Sequence, residues 1–230
     1  RGLMPQMTAA MDIAFQSTVL DIDTMLRVEG REFIKVVTGP VAKNMITAFF
    51  FQLNKINGGA SRPSGVEKNP TRKLGILGAG MMGQGIAYVA ARSGIEVILK
   101  DMTQEAADKG KSYSEGLVAK AVKRGKMFQS QADSLLGLIT PTAKDEDLQG
   151  CDLIIEAVFE NIELKNKIIG NTEKYLSDDG FWGSNTSTLP ITELAKAASK
   201  PANFVGIHFF SPVDKMPLIE IIVGDKTSDE

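Results

Sequence analysis

Hydrophobic positions follow two different patterns along the chain, on either side of a segment that is almost free of them. Residues 58–73 read GGASRPSGVEKNPTRK, with three glycines and two prolines. Such a composition is typical of a linker. We therefore predict a helical linker segment over residues 1–62, a flexible linker over 63–72 and one folded domain over 73–230.

Before the linker, apolar residues recur with a helical period. Asp21 or Asp23 is a suitable N-cap for a helix that runs to Val37, and the Gly39–Pro40 pair is expected to end it. A further helix is predicted over 41–57, apolar around a wide arc, and we expect it to pack against another domain. The apolar positions behind these predictions are Leu26, Phe33, Ile34 and Val37, then Met45, Ala48, Phe49 and Leu53.

After the linker, short apolar runs alternate with helical patterns. This alternation predicts an α/β, Rossmann-like fold, in which a mostly parallel sheet carries helices on both faces. Strands are predicted over 73–77, 96–100, 152–158, 181–184, 204–209 and 218–223. Helices are predicted over 83–93, as a pair within 103–136, and over 161–176 and 190–198.

Charge and cysteine content narrow the functional classes. The net charge of −2 indicates neither nucleic-acid binding nor a basic membrane contact. Cys151 is the only cysteine, so the sequence predicts no disulfide and no metal site. The longest apolar run near the N-terminus, 45–51, is too short to cross a bilayer. Without a secretory signal, we expect a bacterial cytoplasm, with a mitochondrial origin as the alternative.

A glycine motif follows the first predicted strand of the domain. Gly78 permits a tight turn, Gly80 lets the backbone approach a pyrophosphate, and Gly83 allows close packing of helix on strand. The backbone of Met81 and Met82 opens that helix, whose free N–H groups and dipole attract phosphate. The alternative is a strand-to-helix turn without a ligand.

Asp101 ends the next predicted strand and strengthens the nucleotide interpretation. A carboxylate at this place accepts hydrogen bonds from a ribose 2′-hydroxyl and repels a 2′-phosphate. Since no arginine follows it, NAD is favoured over NADP as the cofactor.

His208 is the only histidine and lies in an apolar strand-like run. By itself it is more typical of a core residue with one backbone hydrogen bond than of a general base. Glu220, flanked by branched aliphatic residues, is costly to bury unless it is paired. The sequence therefore predicts a His208–Glu220 pair, and the alternative for Glu220 is a partly exposed residue of an edge strand.

A polar segment, residues 184–188, follows another apolar strand and reads SNTST. It suits the cap of the helix predicted at 190. It equally suits a hydroxyl group placed in the crevice at the carboxyl end of the sheet, where α/β folds bind ligands.

Four segments, in this order, resemble the NAD-binding domain of 3-hydroxyacyl-CoA dehydrogenases over about residues 72–230. A set of four ordered motifs is more specific than a glycine loop alone. They read LGAGMMGQGIA, EAVFENIELK, SNTSTLPI and VGIHFFSPVDKMPLIEII.

The resemblance implies that NAD oxidises an (S)-3-hydroxyacyl-CoA to a 3-ketoacyl-CoA in fatty-acid β-oxidation. It assigns His208 as the general base, Glu220 as the residue that holds its ring, and Ser187 as a hydrogen-bond donor to the reacting oxygen. Glu160 and Lys165 are expected near the nicotinamide, and Asn185 is expected to shape the pocket. The alternatives for Glu160 and Lys165 are a helix N-terminal acid and a solvated lysine.

Ser211 stands where single-function relatives carry asparagine, which resembles the multifunctional branch of the family. Residues 1–62 are similar to the helical connector of those enzymes. The resemblance thus implies hydratase/isomerase and C-terminal helical domains outside the printed sequence, and a thiolase subunit as partner. Without the C-terminal domain, we expect NAD binding with much reduced turnover.

A basic group on the predicted helical pair, including Lys123 and Arg124, is a candidate contact for CoA phosphates. A solvated basic face explains it equally well. Two further functions remain as alternatives for the whole chain. One is another nicotinamide-dependent hydroxyacid dehydrogenase, and the other is a non-catalytic NAD-binding or interaction fragment.

Overall fold

The computed structural model describes residues 4–67 and 69–229. The chain forms two compact units, residues 1–65 and residues 66–230. Among the described residues, no helix or strand lies between Asn57 and Lys73, the stretch in which the sequence predicts the linker.

The first unit is helical. Asp21 is the N-cap of its longest helix, with Oδ1 accepting a hydrogen bond from the Thr24 N–H at 3.0 Å, and Pro40 starts the next helix. The helix predicted over 41–57 is helical throughout but contains a π-helical stretch, Thr47–Gln52. The α-helices are α1 (Pro5–Gln16), α2 (Ile22–Thr38), α3 (Pro40–Ile46) and α4 (Leu53–Asn57).

Large apolar side chains cover the surface of this first unit. Met25 is the one buried hydrophobic residue among its described positions. Apolar surface of this extent is typical of a surface that contacts another protein segment. The exposed residues include Met7, Met11, Phe15, Val19, Phe33, Ile34, Phe49, Phe50 and Phe51.

The second unit is built on a seven-stranded sheet in the order β3-β2-β1-β4-β5-β6-β7. The first six strands are parallel, and β7 pairs antiparallel with β6. The strands are β1 (Lys73–Leu77), β2 (Glu96–Lys100), β3 (Ile139–Thr142), β4 (Cys151–Glu156), β5 (Leu176–Ser184), β6 (Phe204–Phe209) and β7 (Ile219–Ile222). The helices are α5 (Met81–Arg92), α6 (Gln104–Lys123), α7 (Gln129–Gly137), α8 (Ile162–Thr172) and α9 (Ile191–Leu194).

The strand order reverses direction between β1 and β4. The chain moves outward from β1 to β3 and then returns to build β4 to β7 on the other side. In open α/β sheets, ligands bind in the crevice at the carboxyl ends of the strands beside such a reversal. The ends of β1, β4, β5 and β6 therefore mark the candidate site.

Two hydrophobic clusters pack on opposite faces of the sheet, as the predicted fold class requires. Ile86 and Val118 belong to the face covered by α5, α6 and α7. Ile169 and Leu194 belong to the face covered by α8 and α9, where the Trp182 ring stacks on Phe204 at 5.3 Å between centroids. The doubly covered, mostly parallel sheet confirms the predicted Rossmann-like class.

Some element boundaries differ from the sequence predictions. β3 was not predicted, because Pro141 in its short ITPT run argues against a strand; it is tolerated because β3 lies at the edge of the sheet. β5 begins at Leu176, inside the helix predicted over 161–176, and its pairing with β4 is irregular near its start.

We predict that Cys151 resists alkylation in the native protein. It is fully buried, and burial raises the pKa of its thiol to about 11, so almost no thiolate forms near neutral pH. Mass spectrometry after iodoacetamide treatment at pH 8 should show unmodified native protein and complete modification in denaturant. Rapid labelling of the native protein would contradict the packing of β4.

Candidate active site

The glycine loop after β1 is shaped by two close backbone contacts. Gly78 has φ of +97°, a left-handed conformation that favours glycine, and its N–H donates to the Lys100 carbonyl oxygen at 2.8 Å. A Cβ on Gly83 would stand 1.8 Å from the Gly78 oxygen. Only glycine at 83 therefore lets the start of α5 approach the end of β1 this closely.

Gly80 differs from these two, because space surrounds it. Among the described residues other than its immediate neighbours in the chain, no heavy atom lies within 4 Å of the position that a Cβ on Gly80 would take. Gly80 is the N-cap of α5 and supplies no side-chain cap, so the first N–H groups of the helix, at Met81, Met82 and Gly83, have no partner within the helix. Open space and free N–H donors at a helix start fit a pyrophosphate.

Asp101 is fixed against the glycine loop. Its Oδ2 accepts a hydrogen bond from the Ala79 N–H at 2.6 Å, and its Oδ1 accepts one from the Met102 N–H at 2.7 Å. Each carboxylate oxygen retains a lone pair for a further donor. The residue thus lies at the loop as a nucleotide-binding carboxylate must, and a ribose hydroxyl is a suitable donor.

Three side chains form a hydrogen-bonded chain beyond β5 and β6. His208 and Glu220 are directly opposed in the β6–β7 register, with His208 Nδ1 2.7 Å from Glu220 Oε2. The other ring nitrogen, Nε2, lies 3.1 Å from Ser187 Oγ. The structure therefore brings Ser187, His208 and Glu220 together in one line.

The reason for the His208–Glu220 pair differs from the one inferred from the sequence. Glu220 is not forced into a pair by burial, because its side chain is 52% exposed on the edge strand, whereas that of His208 is 17% exposed. The antiparallel register places the two side chains on the same face of adjacent strands. Glu220 is thus both a partner of His208 and a partly exposed edge residue.

Asn185 joins the ends of three strands. Its backbone N–H donates to the Glu156 carbonyl oxygen at the end of β4, and its Oδ1 accepts from the Phe209 N–H at the end of β6, both at 2.9 Å. Since Asn185 itself follows β5, it aligns the three carboxyl ends. Its amide oxygen is occupied within the protein in this arrangement.

Glu160 and Lys165 lie together at the carboxyl end of β4. They are joined there by Glu156, a residue that the sequence analysis missed. The Lys165 side chain is 1% exposed and lies 2.7 Å from Glu156 Oε1, while Glu156 is 0% exposed. The alternative of a solvated lysine at 165 is therefore wrong. The one signal for Glu156 is a charged residue that directly follows the apolar run LII and begins the EAVFENIELK segment.

Glu160 collects hydrogen bonds from the segment after β5. Its Oε1 accepts from the Thr186 hydroxyl and from the N–H groups of Ser187, at 3.0 Å, and Thr188, at 3.2 Å. Burial opposes ionisation of Glu160, but the Thr186 hydrogen bond and the Lys165 charge outweigh it and lower the pKa of Glu160 to about 2. The Glu160 carboxylate is therefore charged near neutral pH.

Comparison with known proteins agrees with this geometry. Residues 73–230 match the family model described as 3-hydroxyacyl-CoA dehydrogenase, NAD binding domain. The chain belongs to this family. The cofactor of the domain is accordingly NAD, and the open loop at Gly80 and the Asp101 carboxylate are residues that fit it.

Relatives of this dehydrogenase domain include longer proteins. The fatty acid oxidation complex subunit alpha of Acinetobacter baumannii (strain SDF) is 40% identical over 208 residues, which cover 90% of this chain and 29% of that protein. The chain thus spans less than a third of the length of the curated relatives it matches.

Solved structures show the same fold. (S)-3-hydroxybutyryl-CoA dehydrogenase from Ralstonia eutropha matches with a TM-score of 0.67 and 37% identity, covering 70% of this chain and 56% of that one. The dehydrogenase part of multifunctional enzyme 1 from C. elegans matches with a TM-score of 0.62 and 30% identity, covering 71% and 37% respectively.

Lys123 and Arg124 lie apart from the reacting side chains of the dehydrogenase domain. The first half of α6 passes the glycine loop, where Gly110 packs on Ala79, and the helix from Gly110 to Lys123 rises about 20 Å. Its last turn therefore lies toward the opposite edge of the sheet. Both side chains are exposed, and their contact with CoA phosphates stays a prediction.

Two other features are absent from the described ranges, 4–67 and 69–229. They contain no group of three histidine, cysteine, aspartate or glutamate side chains that could hold a metal ion. None of their helices combines the length and the apolar character that a bilayer crossing requires.

We predict that alanine changes a different property at each of two glycines of the loop: thermal stability at Gly83 and NADH binding at Gly80. Gly83→Ala should lower the melting temperature of the protein without ligand, because its Cβ collides with the Gly78 carbonyl. Gly80→Ala should leave the melting temperature unchanged and weaken NADH binding, because the methyl group enters open space at the helix start. Thermal melts and calorimetric titration measure both effects, and a Gly80→Ala protein with unchanged NADH affinity would contradict the pyrophosphate assignment.

Proposed function

We propose that this domain oxidises the 3-hydroxyl group of an (S)-3-hydroxyacyl-CoA with NAD, giving the 3-ketoacyl-CoA in fatty-acid β-oxidation. The observation that carries the proposal is the Ser187–His208–Glu220 chain at the sheet edge that also bears the glycine loop. A base and a cofactor loop at one edge suit the removal of a proton and a hydride from the same alcohol.

His208 acts as the base through Nε2. An ionised Glu220 carboxylate only accepts hydrogen bonds, so the hydrogen of a neutral His208 ring lies on Nδ1. Nε2 then presents its lone pair toward Ser187 Oγ, 3.1 Å away. When the ring takes up a proton at Nε2, Glu220 stabilises the resulting charge across the 2.7 Å contact.

Ser187 has a directing role. Its backbone is held by Glu160, and in the protein without substrate its hydroxyl group donates to Nε2. A substrate hydroxyl that replaces this contact gives its proton to Nε2 and accepts the Ser187 hydrogen bond. Bound NAD supplies the hydride acceptor. The protein holds it through the loop at Gly78–Gly83 and Asp101, with Glu160 at the neighbouring strand end, where the buried Lys165 supports that carboxylate.

The proposal includes the larger context suggested by the relatives. Curated relatives are named as the alpha subunit of a fatty acid oxidation complex. The name and the greater length of these relatives support further domains in the same polypeptide and a partner subunit in a complex. That these are hydratase/isomerase and C-terminal helical domains and a thiolase subunit stays a prediction. Bacterial relatives also support the predicted cytoplasmic location, which stays a prediction.

A second function has a specific observation in its favour. A structural relative at 33% identity is an NAD⁺-dependent 5-dehydrogenase of a pyridine carboxylic acid, with a TM-score of 0.60. The name of that relative gives a formyl-substituted pyridine carboxylic acid as substrate, so the same fold serves a substrate that is not a CoA thioester. A panel of CoA thioesters and free hydroxyacids distinguishes the two functions, since CoA-dependent turnover is expected here.

We predict that His208→Ala, in the full-length protein, lowers kcat for 3-hydroxyacyl-CoA oxidation by on the order of 10²–10⁴-fold, while the dissociation constant of NADH stays within about threefold. The ring contacts Ser187 and Glu220 rather than the glycine loop. Stopped-flow absorbance at 340 nm measures turnover, and calorimetry measures NADH binding. Retained turnover would refute the base assignment, whereas NADH binding without turnover in the native full-length protein would favour a non-catalytic NAD-binding function.

We predict that Asp101 sets the cofactor preference. The native protein should bind NADH more tightly than NADPH, since the carboxylate held at Ala79 repels a 2′-phosphate. Asp101→Ala should weaken NADH and reduce the difference between the two. Asp108→Ala, an exposed acid on α6, is the matched control, and equal loss in both variants would argue against a specific ribose contact.

A further inference from the structure

Beneath the reacting residues lies a buried group of charges that the proton-transfer chemistry does not use. Glu156, at the end of β4, and Lys165, on α8, are almost fully buried. Lys165 Nζ lies 2.7 Å and 2.8 Å from the two Glu156 oxygens. Glu156 also accepts hydrogen bonds from the Ser184 hydroxyl and, at 3.2 Å, from the Val158 N–H. A buried carboxylate requires such partners, and here it has four hydrogen bonds.

The charges in this group do not cancel. Lys165 also approaches Glu160, with Nζ 3.3 Å from Oε2, so one ammonium group serves two carboxylates. Since Glu156 takes the shorter contacts, Glu160 must be stabilised by other donors. Those donors are the Thr186 hydroxyl and the N–H groups of residues 187 and 188.

This arrangement ties the buried pair to the reacting hydroxyl. Glu156 orients Lys165, Lys165 fixes Glu160, and Glu160 holds the backbone N–H of Ser187 at 3.0 Å. Glu156 acts a second time through Ser184, whose Oγ accepts from the Thr186 N–H at 3.3 Å. Both routes end on the segment that follows β5, at Thr186 and Ser187. The exposed Ser187 side chain contacts His208.

We propose that Glu156 is a positioning residue, which sets the place of the Ser187 hydroxyl against His208 Nε2 through Lys165, Glu160 and Ser184. It touches neither the glycine loop nor the His208 ring. Its importance for turnover rests on the proposed function, but the Ser187–His208 contact that it sets is measurable without turnover.

The first test uses the imidazole signals of His208. It is the only histidine in the chain, so its ¹⁵N and ¹³C resonances need no assignment by mutation. Ser187→Ala removes the hydroxyl contact and defines the shift that its loss causes. Glu156→Gln should move the His208 signals in the same direction, and should cause no further shift in the Ser187→Ala background.

Glu163→Gln is the matched control, because Glu163 is an exposed acid in the first turn of the same helix, α8. It should leave the His208 signals unchanged. If Glu156→Gln does not fold, Glu160→Gln replaces it, since it keeps the buried Glu156–Lys165 pair and weakens only the last link. Unchanged His208 signals in a folded variant, or shifts that add to those of Ser187→Ala, would overturn the proposal.

Turnover of the full-length protein gives the second readout. At saturating NAD and substrate, Glu156→Gln should lower kcat by up to about 100-fold, the cost of misplacing a reacting group by 1 Å. The double variant with Ser187→Ala should be no slower than the slower single variant. A double variant slowed by the product of the two effects would contradict positioning through Ser187. A different outcome separates the positioning role from the proposed function. If the His208 shifts of Glu156→Gln and Ser187→Ala are not additive, but Ser187→Ala has wild-type turnover, Glu156 still positions Ser187 and the proposed role of Ser187 in the reaction is wrong.

Discussion

The contact between the end of β1 and the start of α5 is the constraint on which the second unit depends. It brings the Gly83 backbone so close to the Gly78 carbonyl that no side chain fits between them. This approach aims the free N–H groups of α5 at the crevice where the strand order reverses. The same contact therefore serves packing and phosphate binding, which explains why the loop is glycine at both positions.

The sequence predicts best what depends on local pattern. The glycine loop, the end of β2 at Asp101 and the strand with His208 are readable because each signal lies within a few residues. The sheet and its two covered faces follow from the alternation of elements. β3 escaped prediction because its proline is acceptable only at a sheet edge, and edge position is a property of the assembled sheet.

Side-chain pairs that join two different elements were harder to predict from the sequence. The pairing of Glu156 with Lys165 joins a strand end to a helix nine residues later, and a lysine in a helical segment usually indicates solvent. For Glu220, the expected partner was right in identity but the reason was different, because strand register rather than burial sets the pair. Burial must be known before the cost of a charge can be used as evidence.

The antiparallel strand β7 is the last strand of the sheet. The His208–Glu220 pair therefore lies at this edge of the sheet, here called the rim. One side of β7 pairs with β6, and Ile221 and Val223 are exposed beside Glu220. An uncovered strand of this kind is a template on which another chain can add a strand, and a charged residue on it opposes such addition. Glu220 consequently links two properties that are usually separate: a substitution that removes its charge to alter proton transfer also makes the rim more prone to self-association.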